Sequence, residues 1–284
     1  MKREAELQRR LHTLGALQEA ISAMKSLSAH HLRQTRSAVA PARAYSDAVA
    51  QIMHDSGASI AAGDGAAGLL VVGAELGLCG AYNAQVVRSA RAVREALGVG
   101  PTLCVGQRAT SLLVRHGLAP ERSYPAPTGA HGMTKLILTV AEDILSQYLT
   151  QRLVSFDIVS TRSDGVGSST VDTTRLLPIE ARHASPGAIP DTRYATTAQL
   201  VDASIREYLY VTMYDRLLDA LVAEHGARLS ATQSAEKWLE QRSAQLRRHL
   251  TATRREASTQ EMLEIAAGAR ARAHLARSQI WNLK

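Results

Sequence analysis

Two long stretches that almost lack glycine and proline stand at the ends of this 284-residue chain, and they constrain everything between them. From Glu4 to about Met53 only Gly15 and Pro41 interrupt the run. Apolar residues recur at Leu7, Leu11, Leu14, Leu17, Ile21, Met24, Leu27 and Leu32 in steps of three and four, which keeps them on one narrow side of a helix, as in a coiled-coil seam. The seam is expected to weaken at Ser28, and Pro41 to kink or restart the helix near Ala40, because proline removes a helical N–H and crowds the preceding turn.

A second such stretch begins at Thr197 and runs through Leu200, Ile205, Leu209, Met213, Leu217 and Leu221, then Leu229, Leu239, Leu246, Leu250, Met262 and Ile265. An arm of about 50 residues is roughly 75 Å long at ~1.5 Å per residue. Neither arm fits inside a domain of the size left between them, so the two must pair as an antiparallel coiled coil.

The middle has a different period. After the small-residue linker of residues 56–68, short apolar runs at Gly68 to Gly73, Thr102 to Val105 and Leu153 to Ser160 read as buried strands. They alternate with helical patterns at Asn83 to Leu97, Arg108 to His116 and Thr134 to Gln151, and a last strand is expected over Thr173 to Ile179. Alternation of strand and helix predicts a parallel sheet. The fold class is therefore α/β: an antiparallel coiled coil of N- and C-terminal helices flanking a Rossmann-like α/β insert. The expected divisions are 1–58 for the first arm, 66–192 for the insert, ending in the proline-containing stretch 184–192, and 196–284 for the second arm.

Charge and cysteine content narrow the partners. The formal charge is +7, and it is concentrated in the arms: residues 1–44 hold eight Lys/Arg against three Glu, and residues 228–255 hold seven against two acids. A nucleic-acid binder, a rod inside an acidic sleeve and a pair of solvated helix faces all fit that distribution. Only Cys79 and Cys104 are present, so no disulfide framework is expected and both read as packing residues. No stretch approaches the ~18 apolar residues of a membrane span, and the expectation is a soluble protein able to dock on a membrane complex.

A search for chemistry finds little. Gly73, Gly77 and Gly80 in GAELGLCGAYN do not give the GxGxxG spacing, and no GxxxxGK[ST] occurs, so a tight turn ending a strand is the better reading than a phosphate cradle. Asn83 is a candidate cap for the helix that follows. The ten histidines form no HExxH pattern, and His30 and His31 point to different sides of a helix. Asp157 and Asp164 stand singly, no nucleophile has a base beside it, and no cofactor is expected. The residues describe an interaction protein.

Three segments resemble the gamma subunit of F-type ATP synthases. AISAMKSLSAHHLRQTRSAVAPARAYSDAV, residues 20–49, is similar to the family's N-terminal helix. LLVVGAELGLCGAYNAQV, residues 69–86, is similar to its SDRGLCGGLN strand and turn. Within residues 199–270, EHGARLSAT and RREASTQEMLEIAAGA resemble EQAARMAAM and NKARQAAITQELLEIVSGA. Departures are Leu76 in place of the usual Arg, Ala81 in place of a Gly, a KARQ pattern that has become Thr253-Arg254-Arg255-Glu256, and the extra tail Ala271 to Lys284. They point to a divergent bacterial member, with the sodium-linked N-ATPase type as one candidate and the transported ion, proton or sodium, left open.

The resemblance implies a non-catalytic rotary central stalk that couples ion flow to ATP synthesis or hydrolysis. It implies alpha and beta subunits, an epsilon subunit and a c-subunit ring as partners, no nucleic acid, and a peripheral place on the cytoplasmic face of the bacterial inner membrane. It carries over subunit-interface roles to Met24, Lys25, Arg254, Thr259, Gln260 and Glu261, with Lys25 facing an acidic lever of beta in a screened pair worth at most about 1 kcal/mol. A smooth bearing surface is expected from Ser26, Ser28, Ala29, Ala267, Gly268 and Ala269. The alternative is a basic helical adaptor or nucleic-acid-associated coiled-coil protein, which calls for aromatics interleaved with the basic residues; the arms hold few, Trp238 among them.

Overall fold

A computed structural model describes residues 2–56, 59–165, 168–179 and 196–281. Helix α1 spans Lys2–Ser56 and helix α5 spans Thr197–Trp281. Between them lie β1 (Ala67–Val72), α2 (Tyr82–Leu97), β2 (Thr102–Val105), α3 (Gln107–Arg115), β3 (Arg122–Tyr124), α4 (Met133–Thr150), β4 (Ser155–Gly165) and β5 (Ser168–Leu177). The stretch 184–192, where the insert was expected to end, lies outside the described residues, as do the last three residues of the tail.

The chain packs as two units. One comprises Met1–Ala23 with Gln233–Lys284, the other Met24–Thr232. In the first, Arg254 Nε donates to Glu4 Oε1 at 2.7 Å, which ties the first turn of α1 to α5. On the α5 side of this unit Leu239, Ser243 and Leu246 are buried at helical spacing.

The second unit contains the sheet, in the order β3-β2-β1-β4-β5. β1, β2, β3 and β4 are parallel, but β5 runs antiparallel to β4, with Gly165 opposite Ser168. The all-parallel expectation is thereby corrected to a mixed sheet: the two residues between β4 and β5 are too few for a crossover, so the strands must form a hairpin. β5 accordingly begins at Ser168, ahead of the expected Thr173.

Alternation along the strands fills both faces. Leu70, Val72, Leu103, Phe156 and Ile158 face α4, the α5 residues Leu209, Met213, Leu217 and Leu221, and Val49 and Met53 of α1. Leu69, Val71, Cys104 and Val159 face α2 and α3. In this unit α1 and α5 meet in antiparallel sense, for Arg43 Nη2 donates to Asp219 at 2.7 Å and Tyr45 hydroxyl to Glu207 at 2.8 Å.

Of the expectations about α1, the restart near Ala40 is not found: one helix runs on through Pro41, which is exposed. Ser28 is also no weak point: it is only 2 % exposed, and its hydroxyl donates to the Met24 carbonyl at 2.7 Å, which removes the cost of burying it. It therefore cannot belong to an exposed bearing surface. The buried stripe passes instead from Ser28 through Leu32 and Thr35, while Leu17 and Leu27 are about half exposed.

Candidate functional site: a buried polar cluster and two sets of interface residues

Local geometry decides the glycine-rich segment first. A Cβ on Gly73 would stand 2.3 Å from the Ala109 Cβ, so this glycine lets α3 pack against the end of β1. Gly80 has φ 57°, a conformation costly for other residues, and Leu78 adopts φ 61° beside it. Asn83 does not cap α2, whose cap position is Ala81 without a side-chain bond. Its Oδ1 accepts the Ala74 N–H at 2.9 Å and its amide donates to Cys79 Sγ at 3.4 Å, which ties the turn to the helix. These are the features of a braced turn.

What braces it from the other side is a polar cluster on α5. Val222 to Arg228 is buried apart from Ala227, yet it carries Glu224, His225 and Arg228. The Arg228 guanidinium donates to the Glu224 carboxylate, to the carbonyls of Gly77 at 3.0 Å and Leu76 at 3.3 Å, and meets His225 Nδ1 at 3.4 Å. His225 Nε2 meets the Thr128 carbonyl at 3.2 Å, so this nitrogen carries the proton and Nδ1 accepts from Arg228. Glu75 accepts the N–H groups of Gln107 at 3.0 Å and Ala126 at 2.8 Å. His31 of α1 completes the surroundings, its ring 5.1 Å from that of His225.

Burial governs the charges here. It pushes the Glu224 carboxyl up against the pull of Arg228, and it lowers His225 to about 4 with help from Arg228 and His31. His225 is therefore neutral near neutral pH. The Cys79 thiol is pushed up by burial and Cys104 to about 11, so both are inert packing thiols. A cavity of about 30 Å³ lies among Met24, Ser28, His31, Glu75, Glu224 and Arg228, room for one or two waters. Among the described residues no three His, Cys, Asp or Glu side chains are placed to hold a metal ion.

The six residues carried over as interface positions fall in both units. Met24 lines the cavity just described, and Lys25 beside it is half-buried. Arg254, Thr259, Gln260 and Glu261 are exposed along α5 in the other unit. Arg254 is engaged with Glu4, Thr259 donates to the Arg255 carbonyl, and Gln260 donates to Glu264 at 3.0 Å. Next to them Met262, Leu263 and Ile265 are exposed large apolar residues. Sequence reading missed Glu75, Glu224, His225 and Arg228. Three titratable residues spaced three and four apart in an otherwise apolar helical run were the available signal.

The ATP synthase family matches residues 3–271, nearly the whole chain and both helical ends. The chain belongs to the ATP synthase family. Within this ATP synthase family its relatives include the ATP synthase gamma chains of Cytophaga hutchinsonii, 25 % identical with 94 % of this chain and 97 % of the relative covered, and of Granulibacter bethesdensis, 27 % identical with 93 % and 98 % covered. In structure it is similar to a chain of the Euglena gracilis mitochondrial ATP synthase, with a TM-score of 0.70 at 15 % identity over 95 % of this chain and 94 % of that one. A chain of the Tetrahymena thermophila central stalk and c-ring structure gives 0.58 at 16 % identity, with 76 % and 99 % covered. The expected gamma-subunit resemblance and the fold of helical ends around an α/β insert are both met.

Proposed function

We propose that this ATP synthase family member is the rotary central stalk of its complex, turning within a hexamer of alpha and beta subunits and coupling ion flow to ATP synthesis or hydrolysis. The observation that carries this reading is the family match over residues 3–271, which takes in both paired arms and the insert in one order. In this reading the stalk contributes no catalytic residue of its own and serves an ATPase complex as one of its subunits, which the family match over nearly the whole chain supports. Its division of labour follows the segments 1–58, 66–192 and 196–284, the arms serving the hexamer and the insert the epsilon subunit and the c-subunit ring. The complex sits on the cytoplasmic face of the bacterial inner membrane with this chain held peripherally, in keeping with the absence, among the described residues, of a helix long and apolar enough to cross a membrane.

Met24 and Lys25 in one unit and Arg254, Thr259, Gln260 and Glu261 in the other are the contact residues for the hexamer. Co-purification tests the reading: the chain co-elutes with alpha and beta subunits, whereas salt-sensitive retention of nucleic acid without them supports the basic-adaptor alternative. In the assembled complex, Arg254→Ala with Gln260→Ala is expected to slow ATP hydrolysis about tenfold, the effect of losing one charge-assisted hydrogen bond at a rate-limiting angle. Glu4→Gln is the control for the lost intrachain pair, which is exposed and contributes at most about 1 kcal/mol. Normal turnover in the double variant means torque passes elsewhere.

A further inference from the structure

We propose that Arg228, held by Glu224, is a positioning residue for rotary coupling: it locks the β1–α2 turn onto α5 so that the sheet and this part of the helix carry load together. The inference rests on the central-stalk reading. Most of what joins α5 to the sheet is apolar, namely Leu209, Met213, Leu217 and Leu221 against strand side chains. Apolar burial resists separation but is non-directional, so it opposes sliding or rolling of one surface on another only weakly. A load path needs bonds with direction.

Those bonds cluster at one place. The Arg228 side chain is 4 % exposed and grips two consecutive main-chain carbonyls, those of Leu76 and Gly77. Glu224 holds the guanidinium from the preceding turn of the same helix, and His225 anchors to Thr128. Tyr82, the first residue of α2, donates its hydroxyl to the Ala220 carbonyl at 3.1 Å. Main-chain carbonyls are gripped, so the bonds act on the backbone of the turn rather than on movable side chains. Elsewhere the polar contacts between α5 and the insert that join side chain to side chain are isolated, as with Tyr210 and Thr134 at 3.3 Å or Arg216 and Asp172 at 3.8 Å.

The test uses the assembled complex in vesicles, with ATP hydrolysis and ion pumping measured together. Glu224→Met with Arg228→Met removes both charges at once and leaves neither buried alone. The expected result is a pumping-to-hydrolysis ratio lowered about two- to thirtyfold, the range by which substitutions in a connecting network alter coupling, with hydrolysis itself retained. A covalent substitute for the lost grip is available, because a Cβ on Gly80 would lie 3.8 Å from the Ala231 Cβ, a spacing suited to a disulfide; the strain of a cysteine at φ 57° is common to the oxidised and reduced forms and so cancels between them. Gly80→Cys with Ala231→Cys, in a Cys79→Ala background and verified by mass, is expected to restore the ratio when oxidised and to lose it again on reduction.

A merely structural role for Arg228 predicts a change in melting temperature and no redox-dependent recovery of coupling. An unchanged ratio in the double variant, or a lowered ratio that the verified crosslink leaves untouched, overturns the proposal. If the double variant does not assemble, Arg228→Lys decides: its single ammonium cannot span both carbonyls as the guanidinium fork does, and full coupling with Lys overturns the proposal as well. Failure of the unsubstituted chain to assemble with alpha and beta subunits is a different outcome and removes the central-stalk reading itself.

Discussion

At the scale of single residues, the buried cluster makes a pH prediction whose sign is fixed by its neighbours. His225 faces Arg228 and Glu224 on its own helix, His31 on α1 and the Thr128 carbonyl, and its folded value of about 4 lies below the ordinary 6.5. A lowered histidine contributes stability that is fully present above about 6.5 and is lost as pH falls towards 4. Between about pH 7 and pH 5 the isolated chain should lose about 2 kcal/mol through this group, read from urea unfolding at the two values. His225→Gln is expected to flatten that slope. Glu224, pushed up by burial, acts with the opposite sign, gaining stability on acidification, so the comparison between parent and His225→Gln isolates the histidine. None of this was legible in the sequence, where ten histidines look alike until burial separates them. The spacing of Glu224, His225 and Arg228 was visible, but what they grip, two carbonyls some 150 positions away, was not.

At the scale of elements, the paired arms were legible because a seam of three- and four-residue steps needs only local spacing. Their exact facing was not: Leu17 and Leu27 stand out of the seam while Ser28 lies within it, because a serine that bonds its own helix backbone is cheap to bury. Extended in antiparallel sense, the Glu4 to Arg254 pair brings Leu14 level with Ala244, one residue from the buried Ser243. Leu14→Cys is expected to crosslink with Ser243→Cys, and not with cysteines at Gln241 or Gln245, which face solvent. Absence of any crosslink sinks the antiparallel pairing. Pro41, expected to kink or restart α1, does not restart it and sits inside it at the cost of one backbone hydrogen bond. Pro41→Ala should therefore stabilise the chain by about 1 to 3 kcal/mol, measured by urea unfolding. β3 escaped sequence reading because it is three residues long with two of them exposed, and so carries no apolar run.

For the whole molecule, family membership was legible from three segments spread over both ends and the insert boundary, since their order and spacing survive where individual residues such as Leu76 have drifted. Partner surfaces are harder to read, because a residue awaiting a partner looks like any exposed residue. The exception is apolar exposure. Met262, Leu263 and Ile265 are 67 %, 61 % and 73 % exposed within about one turn of α5, next to Thr259, Gln260 and Glu261. Leaving three large apolar side chains in water forgoes the 1.5–3 kcal/mol or so that each gains on burial, and such a patch is characteristic of a surface covered in an assembly. If the hexamer covers it, Leu263→Asp places a charge where an apolar side chain is buried, and should weaken assembly about ten- to hundredfold. The isolated chain should melt within about 0.5 kcal/mol of the parent, because the substituted side chain touches little of its own fold. Subunit stoichiometry after gel filtration at decreasing concentration measures the first effect and circular dichroism the second. A complex that holds together as tightly with Leu263→Asp as without it places this stretch of α5 outside the hexamer contact.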